Sequence, residues 1–268
     1  MAKKPKWVID KERSGKSAAG ESYWLFGIHA VRDALLNPAR TKHRLIVTAN
    51  ALARLEGDLG GMAPEIADPR RFPAPLDAGS VHQGAALEVS PLVWGSLNAV
   101  CGPKPGESPV VVLLDRVTDP HNVGAILRSA EVFAAGAVIA PARHSAPETG
   151  ALAKAASGAL ERQPYLRIRN LGDAIEELKA IGYVVLGFAG EAEAGLETEL
   201  GNLPPGPLAL VLGAEGPGLR QRTRQLCDRL VRIGPAGGFG SLNVSNAAAV
   251  GLYAATRASP QNRRVDTG

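Results

Sequence analysis

The chain has 268 residues, 45% hydrophobic and 21% charged, with a formal net charge of +4 and a pI near 9.2. That length suits one or two domains with a sizeable core, and the composition excludes wholesale disorder and collagen-like repeats. The longest aliphatic run, Val110–Leu114, is far short of the ~20 residues of a membrane-spanning helix, and two cysteines cannot build a disulfide framework, which points to a reducing cytoplasm.

The basic balance suits a polyanionic partner. Aromatics make up only 4%, against a base-stacking platform. Residues 1–20 are lysine-rich and aperiodic and read as a mobile tail. No apolar segment follows the early lysines as in a secretory signal.

From Tyr23 a compact pattern starts. YWLFG reads as a strand; the next stretch places Ile28, Val31, Ala34 and Leu35 on one helical face, and Asn37-Pro38 ends it. HRLIVTA is a second strand, Ala51–Leu55 a short helix, then a proline-rich stretch, then a last strand in VHQGAALEVSP. This is a small α/β unit over 21–98. Arg32, Arg40, Lys42, His43 and Arg44 lie near its first helix and following loop, where they are expected to meet phosphate. CGPKPGESP is a linker by composition, placed at 99–108.

After it the pattern changes. VVVLLD, AVIAP, YLRI, YVVLGF, LALVLG and LVRI are apolar strands, as both-faces-covered parallel strands are. Helices are expected between them over about 123–134, 151–160, 171–181 and 219–229, and a last one over 243–258. The alternation predicts a doubly wound parallel sheet.

Three polar, glycine-bearing clusters follow apolar strands, where open α/β sheets bind ligands. The first runs from Asp115 to Glu131 and contains Asn122, Gly124 and Arg128. Six residues apart, Asn122 and Arg128 do not share a helical face; they converge only if Asn122 precedes the helix. Arg128 carries a planar fork suited to phosphate, or else a salt bridge to Glu131 or Glu215. The second, Leu210 to Leu219, holds Gly213 and Glu215 but has neither the lysine ending of a phosphate loop nor the dinucleotide glycine order. The third, Ile233 to Tyr253, holds Ser241 and Asn243 before a small-residue helix that Ser241 is placed to cap. The five histidines fall into no metal spacing, and Gly-x-Ser-x-Gly is absent.

Taken in order, Asp115–Ala130, Leu212–Gly218 and Ser241–Ser245 resemble the three motifs of the SpoU-type RNA ribose 2′-O-methyltransferases of the SPOUT superfamily, over about Val110 to Arg257. Gly27–Val31 and Val81–Gly84 resemble the L30e-like substrate-binding domain in front of many of them. The whole is most similar to the large-subunit (23S) rRNA guanosine subgroup. The resemblance implies an α/β fold: a knotted parallel-sheet (SPOUT, α/β-knot) domain over 109–268 behind a small L30e-like α/β domain. It implies S-adenosyl-L-methionine as donor, bound by Gly213, Ile233 and Leu242 with Gly190 beside them. Arg128, Asn122, Glu215, Ser241 and Asn243 match the catalytic positions; no metal is required. The implied partners are structured RNA, rRNA before tRNA, and a second copy of the chain through the C-terminal domain. The chain departs from the family pattern at Gly234-Pro235 and Asn246. A catalytically inactive RNA-binding factor and an ordinary nucleotide-dependent hydrolase or dehydrogenase are the rival readings.

Overall fold

The computed structural model describes residues 22–76, 79–234 and 242–258. The N-terminal tail and Ser241 lie outside them. Contacts divide the chain into two units, Met1–Val93 with Glu148–Lys154, and Trp94–Pro147 with Ala155–Gly268.

The first unit is built on a four-stranded sheet in the order β1-β4-β2-β3: β1 (Tyr23–Phe26), β2 (Lys42–Val47), β3 (Pro64–Ile66) and β4 (Ala85–Val89). β4 pairs antiparallel with both β1 and β2, and β3 pairs parallel with β2. Helices α1 (Ile28–Leu36) and α2 (Ala49–Leu55) turn Ile28, Val31, Leu35 and Leu55 into the core. β3 falls in the proline-rich stretch that reads as irregular; Pro64 is its first residue, on the edge of the sheet, where a missing N–H breaks no ladder. The two glycine-bearing segments of the sequence meet here: Gln83 Oε1 accepts the Ile28 N–H at 3.1 Å, and Gly27 N–H donates to the Ala85 carbonyl at 3.1 Å.

The basic residues of this unit do not stand as the sequence suggests. Arg40 is 3% exposed. It donates to the Ser90 carbonyl (2.7 Å) and the Tyr23 hydroxyl (3.3 Å) and lies 4.0 Å from the Glu148 carboxylate, which also accepts from Tyr23 (2.9 Å). Arg44 forms a bidentate pair with Glu65, and Arg32 pairs with Asp58 at 2.8 Å. Lys42 donates to the Leu35 carbonyl, and His43 shares a hydrogen with Ser90. Charge that looks available for phosphate is neutralised or spent on carbonyls. At Gly150 a β-carbon would fall 2.3 Å from the Phe26 ring, so the segment around Glu148 packs at a distance only glycine allows.

The second unit is a six-stranded, wholly parallel sheet in the order β10-β8-β9-β5-β6-β7. The strands are β5 (Val110–Asp115), β6 (Ala137–Pro141), β7 (Tyr165–Ile168), β8 (Val184–Phe188), β9 (Leu208–Gly213) and β10 (Arg229–Val231). Alternate residues such as Val111, Leu113, Val185 and Val211 join a core with α3 (Leu97–Cys101), α6 (Leu171–Ala180) and the stretch around Leu219 and α8 (Gln221–Leu226). α4 (Pro120–Val132) and α9 (Val244–Ala258) pack on one another; α9 also lies on β5 and β9, α4 on β6, and α7 (Leu196–Asn202) against α9. The parallel sheet the sequence predicts is the one observed.

Three local differences have physical causes. Ser96 caps α3 through the Ala99 N–H, and Leu97 and Cys101 are buried, so ordered structure runs into the expected linker. The alanine-rich helix is α5 (Gly150–Ala156); it stops because Ser157 (φ 50°) and Gly158 (φ 88°) turn left-handed, and a 3₁₀ turn, Ala159–Glu161, follows. α7 had no expected counterpart: it is short and starts at Gly195 without a side-chain cap. No helix among the described residues is long and apolar enough to cross a membrane.

Candidate active site

β6 and β9 flank β5 on opposite sides, so the chain leaves β5 toward one edge and returns to its other side as β9. Such a reversal opens a crevice at the carboxyl ends of the strands. The polar clusters assemble there. Asp119 caps α4 by accepting from the His121 N–H (2.9 Å), with Pro120 at the first helical position. This puts Asn122 on the first turn. β9 ends at Gly213, where a β-carbon would lie 2.1 Å from the Gly218 backbone; only glycine lets the loop fold back on itself. The fold-back is closed by the Gly218 N–H on the Ala214 carbonyl (2.9 Å) and leaves Glu215 at its exposed tip.

Three side chains from three loops then meet. Asn243 Nδ2 donates to Glu215 Oε1 (2.5 Å) and to Asn122 Oδ1 (3.0 Å), and Asn122 Nδ2 donates to the same Glu215 oxygen (3.2 Å). Asn243 Oδ1 accepts from the Ser245 N–H (2.8 Å) and hydroxyl (2.6 Å). It therefore caps α9, the role that Ser241 was expected to fill. With both its amide hydrogens and its carbonyl engaged, Asn243 has one orientation. Below the triangle, fully buried Asp115 accepts from Arg220 at its backbone N (3.0 Å) and Nε (2.6 Å), tying the end of β5 to the start of α8. Arg220 gives no motif signal; only the fold brings it to Asp115.

Arg128 stands apart. It lies on α4 with Asn122, six residues on, so the two are separated by about 9 Å along the axis and about a third of a turn around it. The condition for their convergence within one chain is not met. Neither salt bridge the sequence offers is formed: Glu131 pairs with Arg162, and Glu215 holds the two asparagines. Arg128 is exposed and makes no hydrogen bond or ion pair with a described residue.

Gly190, Gly213 and Ile233 follow or end β8, β9 and β10, and share one half of the carboxyl edge. Gly190 is exposed with open space where a side chain would stand. Leu242 keeps 48% of its surface exposed. Beside Gly190, a hydrogen bond from its own backbone and the Arg224 guanidinium hold the Glu191 carboxyl below its usual range. No group of described residues has the makings of a metal site. Burial pushes the Cys101 thiol up to about 11 and the Cys227 thiol up to about 12, so neither is a nucleophile at neutral pH.

A parallel α/β sheet with glycine loops and a polar triangle at its switch point defines the class: a ligand-binding α/β protein of the doubly wound kind. The model of the SpoU rRNA methylase family matches residues 109–253. The chain belongs to that family. It is 40% identical to a 23S rRNA (guanosine-2′-O-)-methyltransferase RlmB of Pseudomonas syringae pv. tomato, over 90% of this chain and 97% of the relative. It is 37% identical to the protein of the same name in Vibrio cholerae, over 89% and 98%. Among solved structures, the SpoU methyltransferase AviRb of Streptomyces viridochromogenes in complex with AdoMet has the same fold, with a TM-score of 0.73 at 23% identity over 96% of this chain and 94% of that one. An AdoMet-bound rRNA methyltransferase of Sinorhizobium meliloti matches with a TM-score of 0.70 at 23% identity, over 96% of each chain.

Proposed function

We propose that this chain methylates the ribose 2′-hydroxyl of a guanosine in 23S rRNA, using S-adenosyl-L-methionine. The observation that carries this is the Asn122–Glu215–Asn243 triangle at the β5/β9 switch point. The residues at the neighbouring strand ends fit the donor. Open space at Gly190, half-exposed Ile233 and Leu242, and loop backbone after Gly213 offer apolar surface and main-chain groups, which suffice for a flat, neutral adenine. When bound, the donor supplies a methyl already activated on a sulfonium.

The protein's share is alignment and the proton. Glu215 and Asn243, locked by their mutual bonds, fix one wall on which the ribose is oriented. Ser241, two residues before Asn243 in the sequence, matches the family's position for orienting the ribose. Arg128 clamps the adjoining phosphate and orients the 2′-hydroxyl; a guanidinium stays protonated and is a poor base. Arg128 reaches a triangle through pairing of two copies. Arg128 and Val132, four residues apart, lie on one exposed face of α4; Val132 is 71% exposed, and Tyr253 of α9, 55% exposed, sits edge-on to Phe133 with ring centroids 6.1 Å apart. A second copy covering this apolar face brings its Arg128 in. Ile126, on the same helix, is fully buried within its own core and does not belong to this face. The close approach of Gly251 to the Phe188 ring, where a β-carbon would lie at 2.7 Å, suits a C-terminal helix drawn tightly through a knot.

The first unit serves as the L30e-like RNA-selecting domain of a cytoplasmic enzyme. Exposed Arg70 and Arg71 and the stacked Phe72–His82 pair, with centroids 4.2 Å apart, are the groups it offers for RNA. The test is transfer of labelled methyl to unmodified 23S rRNA and to tRNA by the whole protein, with ribose-methylation mapping. A single guanosine modified in 23S rRNA is expected; label in tRNA alone, or none, overturns the reading.

A further inference from the structure

The carboxyl edge of the parallel sheet has two chemically different halves. Over β10, β8 and β9 it is glycine-rich; Arg224 is engaged with Glu191 and Arg220 with Asp115, and Arg232, directly after β10, is exposed without an ion pair to a described residue. Over β5, β6 and β7 such exposed cations are more numerous. Arg116 follows β5 directly, Arg143 and His144 lie in the loop after β6, and Arg169 follows β7. All four are exposed, and none makes an ion pair with a described residue. The carboxylates at this end are few. Asp115 is buried under Arg220, Asp119 caps α4, and Asp173 sits in the first turn of α6.

The loop bearing Arg143 and His144 is held from several sides. Ala142 N–H donates to the Ile168 carbonyl (2.7 Å), and Ala146 N–H donates to the Val117 carbonyl (3.2 Å), so the three strand ends are laced together. Underneath, the Arg167 guanidinium donates to the Ala142 carbonyl (2.9 Å) and to the Ala146 carbonyl, and the Tyr165 hydroxyl also donates to Ala146 (2.9 Å). Arg143 and His144 are what this anchored loop leaves outside. Arg116 (φ 63°) and His144 (φ 62°) both adopt the left-handed backbone that side-chain-bearing residues avoid. Two such residues on neighbouring strand ends are a cost the fold carries where side chains must point a given way.

We propose that this half of the edge is the track for the RNA backbone flanking the reacting ribose, with Arg116, Arg143, His144 and Arg169 as its phosphate contacts. The inference rests on the methyl-transfer reading above and says where the RNA runs. The donor occupies the β10–β8–β9 half, the triangle sits at the β9/β5 boundary, and the strand enters across β5, β6 and β7. Adjacent strands are about 4.8 Å apart, so the cations form a row rather than a point, matching a chain of phosphates.

The experiment uses the whole protein and unmodified 23S rRNA transcript. Arg116 and His144 are changed to Asn, which tolerates the left-handed backbone, and Arg143 and Arg169 to Gln. R54Q, an exposed position on α2 of the first unit, removes the same charge as a control. Each removed arginine contact is expected to lower the log–log salt slope of RNA binding by about 0.7. The quadruple variant is expected to raise the KM for RNA at least tenfold, with kcat at saturating RNA within threefold and S-adenosylhomocysteine affinity unchanged by calorimetry. An unchanged KM and salt slope, or the same change in R54Q, overturns the track. If the wild-type protein transfers no methyl, the parent reading fails; the salt slopes of RNA binding then decide the track on their own.

Discussion

Arg40 and Arg143 are both loop arginines beside a β-strand, and the fold treats them oppositely. Arg40 is buried among a carboxylate, a hydroxyl and a carbonyl; Arg143 is exposed on an anchored loop and pairs with nothing among the described residues. The same contrast separates Arg32 and Arg44 from Arg116 and Arg169. The chemistry of the side chain is constant, so what differs is whether the structure has already supplied an anion. Cations whose charge is met internally hold the protein together. Those left unmet, at the carboxyl edge of a parallel sheet, are free to meet a polyanion.

The largest effect is expected from breaking the internal kind. Arg40→Ala strands the Glu148 carboxylate in a buried site and is expected to cost about 3–5 kcal/mol of stability, read as a fall in the denaturation midpoint. A loss below about 1 kcal/mol would put Arg40 with the free cations. Arg128→Ala tests the other kind. Methyl transfer is expected to fall about 10²–10³-fold, while S-adenosylhomocysteine binding and melting temperature hold; parallel losses of activity and stability would reverse its assignment.

A smaller effect concerns titratable groups the fold has spent. Both thiols are raised in the folded state, so the unfolded chain loses those protons first. Their contribution to stability is complete below about pH 9 and is lost as pH rises toward about 11 for Cys101 and about 12 for Cys227. Denaturant titrations at increasing alkaline pH should show this fall, and a C101A/C227A variant should show less of it. The smallest effect is expected at Ser145, behind His144, whose hydroxyl is buried without a hydrogen-bond partner among the described residues. Ser145→Ala should change stability by no more than about 0.5 kcal/mol, on the stabilising side, because no bond is lost. A loss above 1 kcal/mol would mean the hydroxyl is used.

The parallel sheet was legible because strands covered on both faces are written as unbroken apolar runs, and VVVLLD and LALVLG are such runs. That Asn122, Glu215 and Asn243 lie near one another was implied by the family resemblance; that Glu215 bonds the two asparagines instead of an arginine was not. Nor was what it takes to hold them. Asp115 looks like one more polar residue of a motif until Arg220, on another loop, is seen on it. The fate of Arg40 was not legible either, because its environment comes from Glu148, a residue with no local relation to it. α3 had a readable start in Ser96, but the glycine and proline content just after it outweighed one short apolar turn. Local pattern reports strands and caps well; it is silent on which charges the fold will pair.

The membership of Glu148–Lys154 in the first unit has a consequence for how the protein is made. Glu148 lies more than a hundred residues after Arg40. At ribosomal rates of about 5–20 residues per second, that interval is about 5–20 seconds. By its end β1, β2 and β4 have all been synthesised, while the Glu148 carboxylate has yet to reach Arg40 and Gly150 the Phe26 ring. The sheet and helices of the front unit are in hand before that, but its last packing segment is not. That segment is delivered only after two strands of the parallel sheet, so the first unit is completed while the second is being made.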